Sequence, residues 1–529
     1  MTRVERAVAG SAIAILLFCA YAQFVGGNGG DKYWTLVTTR MWLSGRPLYT
    51  ALFSVLPPLI FWVYAIPVSL SLHLPIADYH LLAGLGLTCV ALSVWASLQL
   101  VRTHPQLTDD VKRRGAFVLL LCFIFVVWSN PIYFFDREHI IMVMIFPYLV
   151  RWMPSVARQP HSLRLHILTG CMAAIGFCLK PHAAIIFAGV QLLVMLRERS
   201  LRILWSMENL ITYAAGMFYL LLVATLTPEY FHTVIPMALA TYSACADSKG
   251  WIFFLALAFL LAGLTFADFR LRYTSPYRKD IFYLVGLCPS LLLYALLNNG
   301  WGYSWNPLNS MILFVTGWVL WEFGYLKRKH AAEGLPVRSF RQGEQACWLN
   351  FIGNTAVVLL LNVMFLRGGC GDSCLIDMEL EHVVRANHVA SFGTVSIDFG
   401  RWARLTDVSG ARWDTRFNHL WMLPKFFISD AAFAGDNAWI LRYVADAYAE
   451  DMNHRKPDIM IVDDTDMFYR IYHPVDLVAY LSVTPAFKEA WGHYRYMQTV
   501  DHCAVSYIKK GEIKKQKSEC RYILYKRAS

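Results

Sequence analysis

Charged residues are scarce in this sequence. Asp, Glu, Lys and Arg make up 16% of the 529 residues, whereas hydrophobic residues make up 57%. The mean hydropathy is +0.41, and an ordinary soluble domain carries about 25% charged residues. The scarcity of charge therefore excludes an ordinary soluble protein and predicts an integral membrane protein.

Patterns typical of metal sites and transporters are also lacking. The 12 cysteines include no Cys-x-x-Cys pair, and no His-rich tract occurs, which argues against structural zinc. No inverted repeat is evident, although such repeats are typical of many secondary transporters. These absences leave the function to be inferred from the residues between the apolar segments.

Apolar segments of a length suited to crossing ~30 Å of hydrocarbon recur through the first 366 residues. They lie near 7–25, 57–74, 81–101, 115–129, 138–150, 165–179, 182–196, 203–226, 250–268, 281–297, 307–325 and 347–366. After Gly368 the pattern gives way to charged residues, polar turns and short apolar stretches. The sequence therefore predicts a transmembrane domain over residues 1–366 and a soluble domain over 367–529.

Basic residues predict the orientation, because Lys and Arg near helix ends are retained in the cytoplasm. They cluster in six connections: Arg3/Arg6, Arg102 with Lys112–Arg114, Arg151/Arg158/Arg164, Arg197/Arg199/Arg202, Arg270/Arg272/Arg278/Lys279, and Lys327–Lys329 with Arg338/Arg341. The net charge of +11 is thus explained by topology. Its spread over separate loops argues against nucleic acid binding.

Placing all six basic loops inside requires that one apolar segment before Arg102 does not cross. Segment 57–74 contains Pro57, Pro58 and Pro67, and proline removes backbone donors that lipid cannot replace. We therefore expect an interfacial helix within an outside loop over 26–80. About 11 transmembrane helices remain, with the N-terminus in the cytoplasm and the C-terminal domain outside.

The outside loop combines an acidic residue with two short motifs: Asp31 with Tyr33, the segment Gly45-Arg46-Pro47-Leu48-Tyr49, and Pro57-Pro58-Leu59 at the start of a helix. This arrangement resembles the GT-C superfamily of polytopic glycosyltransferases. That superfamily includes protein mannosyltransferases, aminoarabinose transferases and mycobacterial arabinosyltransferases. The resemblance covers the membrane half of the chain, and the C-terminal domain only in outline.

The resemblance implies a sugar transfer with inversion from a polyprenyl-phosphate donor on the extracytoplasmic face of a bacterial inner membrane. The acceptor would be a cell-envelope glycan, a lipid or a protein, and Asp31 would be the general base. A carboxylate within ~3 Å of a hydroxyl can take its proton. The alternative is that Asp31 is only a solvated loop residue.

A second constellation lies in the segment SNPIYFFDREHIIM, where Asp136, Arg137, Glu138 and His139 are consecutive at the start of an apolar segment. Charges at the membrane edge are costly unless they are paired or used. The resemblance puts an acidic motif here. Arg137 is a candidate to bind the donor phosphate, and the other three are candidates for the acceptor or a divalent cation such as Mg, Mn or Ca. The alternative is a self-neutralising helix cap.

The turn around Pro181 carries two candidate ligands. Lys180 and His182 flank Pro181, and the lysine resembles the Lys-Pro or Lys-Gly turn of several GT-C enzymes. Both are candidates to bind the donor phosphate, since a cation stabilises charge developing on a leaving group. A lysine directed to the membrane interface is the alternative.

Aromatic residues dominate the segment LLNNGWGYSWNPLN. Trp301, Tyr303 and Trp305 are candidates to stack on sugars, although aromatic belts at membrane interfaces have the same composition. Many GT-C enzymes have a histidine in this loop, whereas Trp305 and Asn306 stand in its place here.

The C-terminal domain is predicted to be α/β and to shape the acceptor site. The segment DNAWILRYVADAYAEDM, residues 436–452, has helical spacing. The segment KPDIMIVDDTD reads as a buried strand ending in Asp463, Asp464 and Asp466. Such carboxylates can hold a metal bound to a nucleotide sugar, but nucleotide sugars are cytoplasmic. We therefore interpret them as acidic loop residues.

Four cysteines lie in the predicted outside region, where disulfides can form. These are Cys370, Cys374, Cys503 and Cys520. Pairing of Cys370 with Cys374 and of Cys503 with Cys520 is one possibility, and crosswise pairing is another.

A transporter or flippase of lipid-linked sugars is the alternative function. The large external domain and the position of Asp31 outside the membrane core favour catalysis over alternating access.

Overall fold

The computed structural model describes most of the chain. The described residues are 30–102, 134–157, 161–241, 278–297, 302–308, 310–312, 314–315, 318–319, 331–334, 376–397, 400–424, 426, 437–464, 476–501, 504–509, 512–517 and 521–528. They form two compact units. We call the first the helical unit; it contains the described residues of 80–221 and 247–366. We call the second the α/β unit; it contains those of 27–79, 222–246 and 367–529.

Helices dominate the described part of the first 300 residues. They are α1 (Gly30–Leu43), α2 (Pro58–Ser71), α3 (Asp78–Arg102), α4 (Arg137–Arg151), α5 (Pro154–Ala157), α6 (Leu163–Cys178), α7 (Ala184–Glu198), α8 (Met207–Leu226), α9 (Ile235–Thr241), α10 (Arg278–Gly286) and α11 (Cys288–Leu297). A 3-10 turn, Pro181–Ala183, precedes α7. The described helices agree with the predicted helical membrane fold.

Several of these helices are long and apolar enough to cross a membrane. Within the described residues, four segments meet this condition by length and composition: Asp78–Val101, Pro181–Glu198, Met207–Leu226 and Arg278–Leu297. Helix α2 is shorter, and its 14 residues span about 21 Å at 1.5 Å per residue. That length suits the predicted interfacial helix better than a span of ~30 Å. The count of 11 spans and their sidedness stay predictions.

Helix α4 is at the centre of the helical unit, because all of its residues are buried. Helix α6 packs closely on it at Gly176, where an added Cβ atom would come within 2.5 Å of Ile145 Cγ2. Small residues allow this close approach between membrane helices. Polar contacts add to the packing, since Tyr148 on α4 donates to Asn209 on α8 at 2.5 Å.

The α/β unit adds helices and two sheets. The helices are α12 (Met378–Ala386), α13 (Gly400–Ser409), α14 (Ala438–His454), α15 (Leu477–Leu481) and α16 (Pro485–Trp491). The strands are β1 (Ile376–Asp377), β2 (Ser391–Val395), β3 (Arg412–Trp413), β4 (Ile459–Asp463), β5 (Tyr494–Asp501), β6 (Ala504–Lys509), β7 (Glu512–Lys517) and β8 (Arg521–Arg527). The helix predicted over 436–452 is present as α14, and the predicted buried strand is present as β4.

The larger sheet is mixed, with strand order β3-β2-β4-β8-β5. Strand β2 is parallel to both β3 and β4, whereas β8 runs antiparallel to β4 and β5. The smaller sheet has the order β1-β6-β7 and is antiparallel. Connections through helices allow the parallel pairs to form.

Helix α1 belongs to the core of the α/β unit. Its residues Tyr33, Trp34 and Val37 lie in one buried cluster with residues of the larger sheet and α13. The Trp34 and Trp413 rings meet edge to face, with 4.9 Å between their centroids. An interfacial helix was expected in this loop, but none was predicted at 30–43.

We predict that Trp34→Ala destabilises the α/β unit by about 3–5 kcal/mol, because deletion of a buried indole leaves a cavity in a packed core. Thermal unfolding of the full chain in detergent, followed by near-ultraviolet circular dichroism, measures the effect. Tyr496→Ala is the matched control, since Tyr496 is an exposed aromatic on β5, and it should cost less than about 1 kcal/mol. Equal losses in the two variants would contradict the assigned core.

Candidate functional site

Asp31 lies in the first turn of α1 and is half-buried. Its backbone carbonyl accepts a hydrogen bond from Thr35 Oγ1 at 2.7 Å, and Thr39 Oγ1 bonds in the same way to the Thr35 carbonyl at 2.6 Å. A carboxylate in the first turn interacts favourably with the helix dipole. The predicted base is therefore held on a helix of the α/β unit.

The Gly45–Tyr49 motif joins the outside loop to the sheet of the same unit. Gly45 and Tyr49 have positive φ angles of 102° and 69°, which produce a tight turn. The Arg46 guanidinium donates to the Trp413 carbonyl, and to the Ala51 carbonyl at 3.1 Å. Burial, together with the nearby Arg455, lowers the pKa of Arg46 to about 10. These contacts indicate a structural role for this motif.

The second predicted constellation forms a buried ionic cluster in the helical unit, at the start of α4. Asp136 caps the helix by accepting from the Arg137 backbone N at 2.7 Å. Lys180 Nζ donates to Glu138 Oε1 at 2.7 Å, and Arg137 Nη2 donates to the same oxygen at 3.2 Å. The structure thus brings Arg137, Glu138 and Lys180 together. We call these three residues the Glu138 cluster.

Both predicted alternatives for this segment can be compared with the geometry. Asp136 does cap the helix, and Arg137 does pair with Glu138, as a self-neutralising cap would have it. Lys180 joins the same carboxylate from another loop, and its side chain is only 7% exposed. The ammonium is therefore buried against Glu138 and is not directed to the surface of the structure.

The two predicted histidines occupy different environments. His139 is buried, and its Nδ1 accepts from the Phe135 backbone N at 3.3 Å. His182 lies in the 3-10 turn between α6 and α7 and is partly exposed. The charges of Lys180, Arg137 and Glu138 act on its ring, so His182 borders the Glu138 cluster.

Tyr294 is a candidate that the sequence analysis missed. It is fully buried on α11, and its hydroxyl has no hydrogen-bond partner among the described residues. The charges of Glu138, Arg137 and Asp136 act on this hydroxyl. It is the lone tyrosine of the apolar segment CPSLLLYALL, which was the available signal.

The aromatic loop is described in part. Gly302–Trp305 forms a 3-10 turn, which contains the backbone of Tyr303. Trp305 is fully buried, and Asn306 beside it is buried with an Nδ2 donor that has no partner in the described part of the chain. Trp301 lies outside the described residues. Sugar stacking by this loop stays a prediction.

No metal site is evident in the described ranges, where no group of three or more His, Cys, Asp or Glu side chains is positioned to hold an ion. Asp136, Glu138 and His139 therefore stay predicted candidates, and so does the divalent cation. At the end of β4, Asp463 accepts from Ser396 Oγ at 2.7 Å, and Asp464 pairs with Arg521 at 3.4 Å. Asp466 and the four predicted disulfide cysteines (Cys370, Cys374, Cys503 and Cys520) lie outside the described residues.

Comparison with known proteins shows the fold. No protein-family model and no curated protein sequence matches the chain. Among solved structures, the chain is similar to ArnT from Cupriavidus metallidurans bound to undecaprenyl phosphate, with 10% sequence identity and a TM-score of 0.52 over 98% of each chain. The apo state of ArnT aligns at 11% identity with a TM-score of 0.42, again over 98% of each chain.

The archaeal oligosaccharyltransferase AglB from Archaeoglobus fulgidus, in complex with an inhibitory peptide and a dolichol-phosphate, also aligns. It has 10% identity and a TM-score of 0.42 over 96% of this chain and 74% of that chain. Of the three alignments, one exceeds a TM-score of 0.5. At 10% identity, the alignment with ArnT bound to undecaprenyl phosphate shows a shared fold, as the resemblance predicted.

We predict that Lys180→Met destabilises the helical unit by about 3–5 kcal/mol, because it leaves the buried Glu138 carboxylate with less compensation. The double variant Glu138→Gln/Lys180→Met removes both charges and should recover part of this loss. Thermal unfolding of the four combinations in one detergent gives the coupling energy, expected at about 0.5–3 kcal/mol. Additive losses would contradict a direct interaction between the two side chains.

Proposed function

We propose that this chain is a membrane glycosyltransferase that moves a sugar from a polyprenyl-phosphate-linked donor to a cell-envelope glycan, lipid or protein. The reaction takes place on the extracytoplasmic face of a bacterial inner membrane, proceeds with inversion and uses Asp31 as general base. The N-terminus lies in the cytoplasm and the C-terminal domain in the periplasm. The observation that carries the proposal is the meeting of two buried cations, Arg137 and Lys180, at one carboxylate oxygen of Glu138.

The fold supports this assignment. The chain aligns over 98% of its length with a protein that was crystallised with undecaprenyl phosphate. A lipid-linked phosphate requires cations close to the membrane, and the Glu138 cluster supplies two of them at the start of a fully buried helix. Guanidinium and ammonium groups both form charge-assisted hydrogen bonds with phosphate oxygens.

In the proposed reaction, the acceptor hydroxyl oxygen attacks the anomeric carbon on the side opposite to the phosphate. Asp31 takes the hydroxyl proton as the new glycosidic bond forms. The bond from the anomeric carbon to the phosphate oxygen breaks, and its electron pair leaves with the polyprenyl phosphate. Arg137, Lys180 and His182 would interact with that phosphate, since fixed charges in a site of low dielectric stabilise a developing anion strongly.

The remaining candidates are assigned to binding. Trp301, Tyr303 and Trp305 would contact sugars. Asp136, Glu138 and His139 would contact the acceptor or a divalent cation. The buried hydroxyl of Tyr294 adds a neutral donor beside Glu138 and Arg137.

We predict that Asp31→Asn lowers the transfer rate by about 10²–10⁴-fold, the usual contribution of a general base, while donor binding is retained. Asn keeps the shape of the side chain and removes its basicity. Transfer of radiolabel from polyprenyl-phosphate sugars to a membrane glycan extract measures the rate. Asp446→Asn is the matched control, since Asp446 is an exposed aspartate on α14, and it should transfer like the wild type.

Equal transfer by wild type and Asp31→Asn would assign Asp31 to a structural role and direct the search for the base to Asp136 or Glu138. Absence of transfer from every donor tested, together with movement of a lipid-linked sugar across vesicles containing the protein, would favour the transporter alternative.

We predict that Arg137→Gln weakens binding of polyprenyl phosphate by about 10- to 100-fold, since hydrogen bonds to charged groups contribute about 1.5–3 kcal/mol. Competition by undecaprenyl phosphate against a fluorescent analogue measures the affinity in detergent. Arg197→Gln is the control: Arg197 lies on α7 and bonds to Glu198 and the Trp152 carbonyl, away from the proposed ligands. Unchanged affinity in Arg137→Gln would exclude Arg137 from phosphate binding.

A further inference from the structure

Arg40 connects three parts of the α/β unit. Its guanidinium donates from Nε and Nη2 to the two carboxylate oxygens of Asp78, at 2.6 and 3.0 Å. Its Nη1 donates to both oxygens of Asp407, at 2.8 and 3.1 Å. Arg40 is on α1, Asp407 is on α13, and Asp78 is within the α/β unit, directly before its boundary at Tyr79. A single side chain therefore joins α1 to Asp78 and to α13.

Tyr33 bonds to the same carboxylate from the other end of α1. Its hydroxyl donates to Asp407 Oδ2. Burial raises the pKa of Tyr33 well above its ordinary value, as does the contact with Asp407, so the hydroxyl stays protonated and able to donate. Asp407 thus holds α1 at two points, Tyr33 and Arg40.

These two points lie on the face of α1 opposite to Asp31. Successive residues of a helix are rotated by about 100°, so Arg40, nine residues after Asp31, points about 180° away from it. Tyr33 points about 200° away by the same rule. Contacts on that face set the rotation of the helix and hence the direction in which the Asp31 side chain projects.

We propose that Asp407, acting through Tyr33 and Arg40, is a positioning residue that sets the rotation of α1 and thereby aims the Asp31 carboxylate at the acceptor hydroxyl. This inference rests on the proposed function of Asp31 as the base. Asp407 would thereby give the C-terminal part of the chain a specific role in the reaction, although it does not itself contact the substrate.

Small rotations are sufficient to matter. A side chain about 6 Å from the helix axis moves by about 2 Å when the helix rotates by 20°. A misplacement of about 1 Å can lower a rate by about 100-fold. Loss of this contact should therefore change the position of the Asp31 carboxylate far more than its basicity.

Stability and positioning are separable at this site. The burial of Trp34 and Val37 in the apolar cluster keeps α1 attached to the sheet. The Arg40–Asp407 pair is about one-third exposed on both sides, and such pairs add little to stability. Asp78 is buried, so a change of Arg40 would also leave a buried charge. Asp407 is consequently the cleaner position to alter.

The test compares Asp407→Ala and Asp407→Asn with wild type, Asp31→Asn and a control variant of the full chain in one detergent. The control is Asp446→Asn, which changes an exposed aspartate on α14 of the same unit. We expect Asp407→Ala to lower kcat by about 10- to 100-fold, with an unchanged KM for the donor. The melting temperature should fall only slightly, because the part-buried Tyr33 hydroxyl loses its acceptor. Asp407→Asn keeps an acceptor oxygen and should fall between Asp407→Ala and wild type.

Hydrogen–deuterium exchange of the α1 amides gives a readout that does not need activity. Faster exchange across α1 in Asp407→Ala, with β2 and β4 unchanged, is expected if Asp407 restrains the helix. Wild-type kcat in Asp407→Ala, or α1 exchange equal to that of wild type, overturns the positioning role. A loss of kcat that matches a loss of folded protein also overturns it. Equal transfer by Asp31→Asn and wild type identifies failure of the proposed function instead, because the exchange result is independent of it.

Discussion

The contact between Trp34 and Trp413 attaches α1 to the larger sheet, and the rest of the α/β unit depends on this attachment. It places α1, which begins directly after the first apolar segment, inside the apolar core of a sheet formed hundreds of residues later. The Gly45–Tyr49 turn follows the same rule, since Arg46 bonds to a carbonyl of β3. Burial of two large indoles attaches α1 to the sheet. The polar contacts around them set the orientation of α1. The outside loop is therefore structurally part of the α/β unit.

Charge balance constrains the Glu138 cluster in a comparable way. Two cations buried at the start of an apolar helix are costly unless an anion accompanies them, and Glu138 is that anion in the structure. Asp136 caps the helix and adds a second negative charge close to Lys180. Arg137 and Lys180 are thus held in place before any ligand arrives, which is the preorganisation that electrostatic stabilisation of a leaving group requires.

The class of protein and several elements were predictable because they depend on local composition and period. The strand at 459–463 and the helix at 438–454 are examples, since each shows its own spacing. The core position of α1 was not, because Tyr33 and Trp34 next to a membrane segment have the composition of an interfacial belt. Adjacency in sequence predicted the Arg137–Glu138 pair. The ion pair between Lys180 and Glu138 was not predicted, because the resemblance proposed Lys180 only as a ligand of the donor phosphate. Tyr294 was missed because a lone tyrosine in an apolar segment is a weak signal.

Under the proposed function, the charge balance of the Glu138 cluster also governs how the donor phosphate binds. A phosphate that enters the Glu138 cluster exchanges one anionic partner of Arg137 and Lys180 for another, so the cations need no new desolvation when the donor binds. The Glu138 carboxylate then loses its hydrogen bonds from Arg137 and Lys180 and needs other donors. The buried Tyr294 hydroxyl is a candidate, since it has no partner among the described residues. A site arranged in this way binds the lipid phosphate by substitution of partners, so the cations stay paired throughout, and the cost falls on the Glu138 carboxylate that they leave.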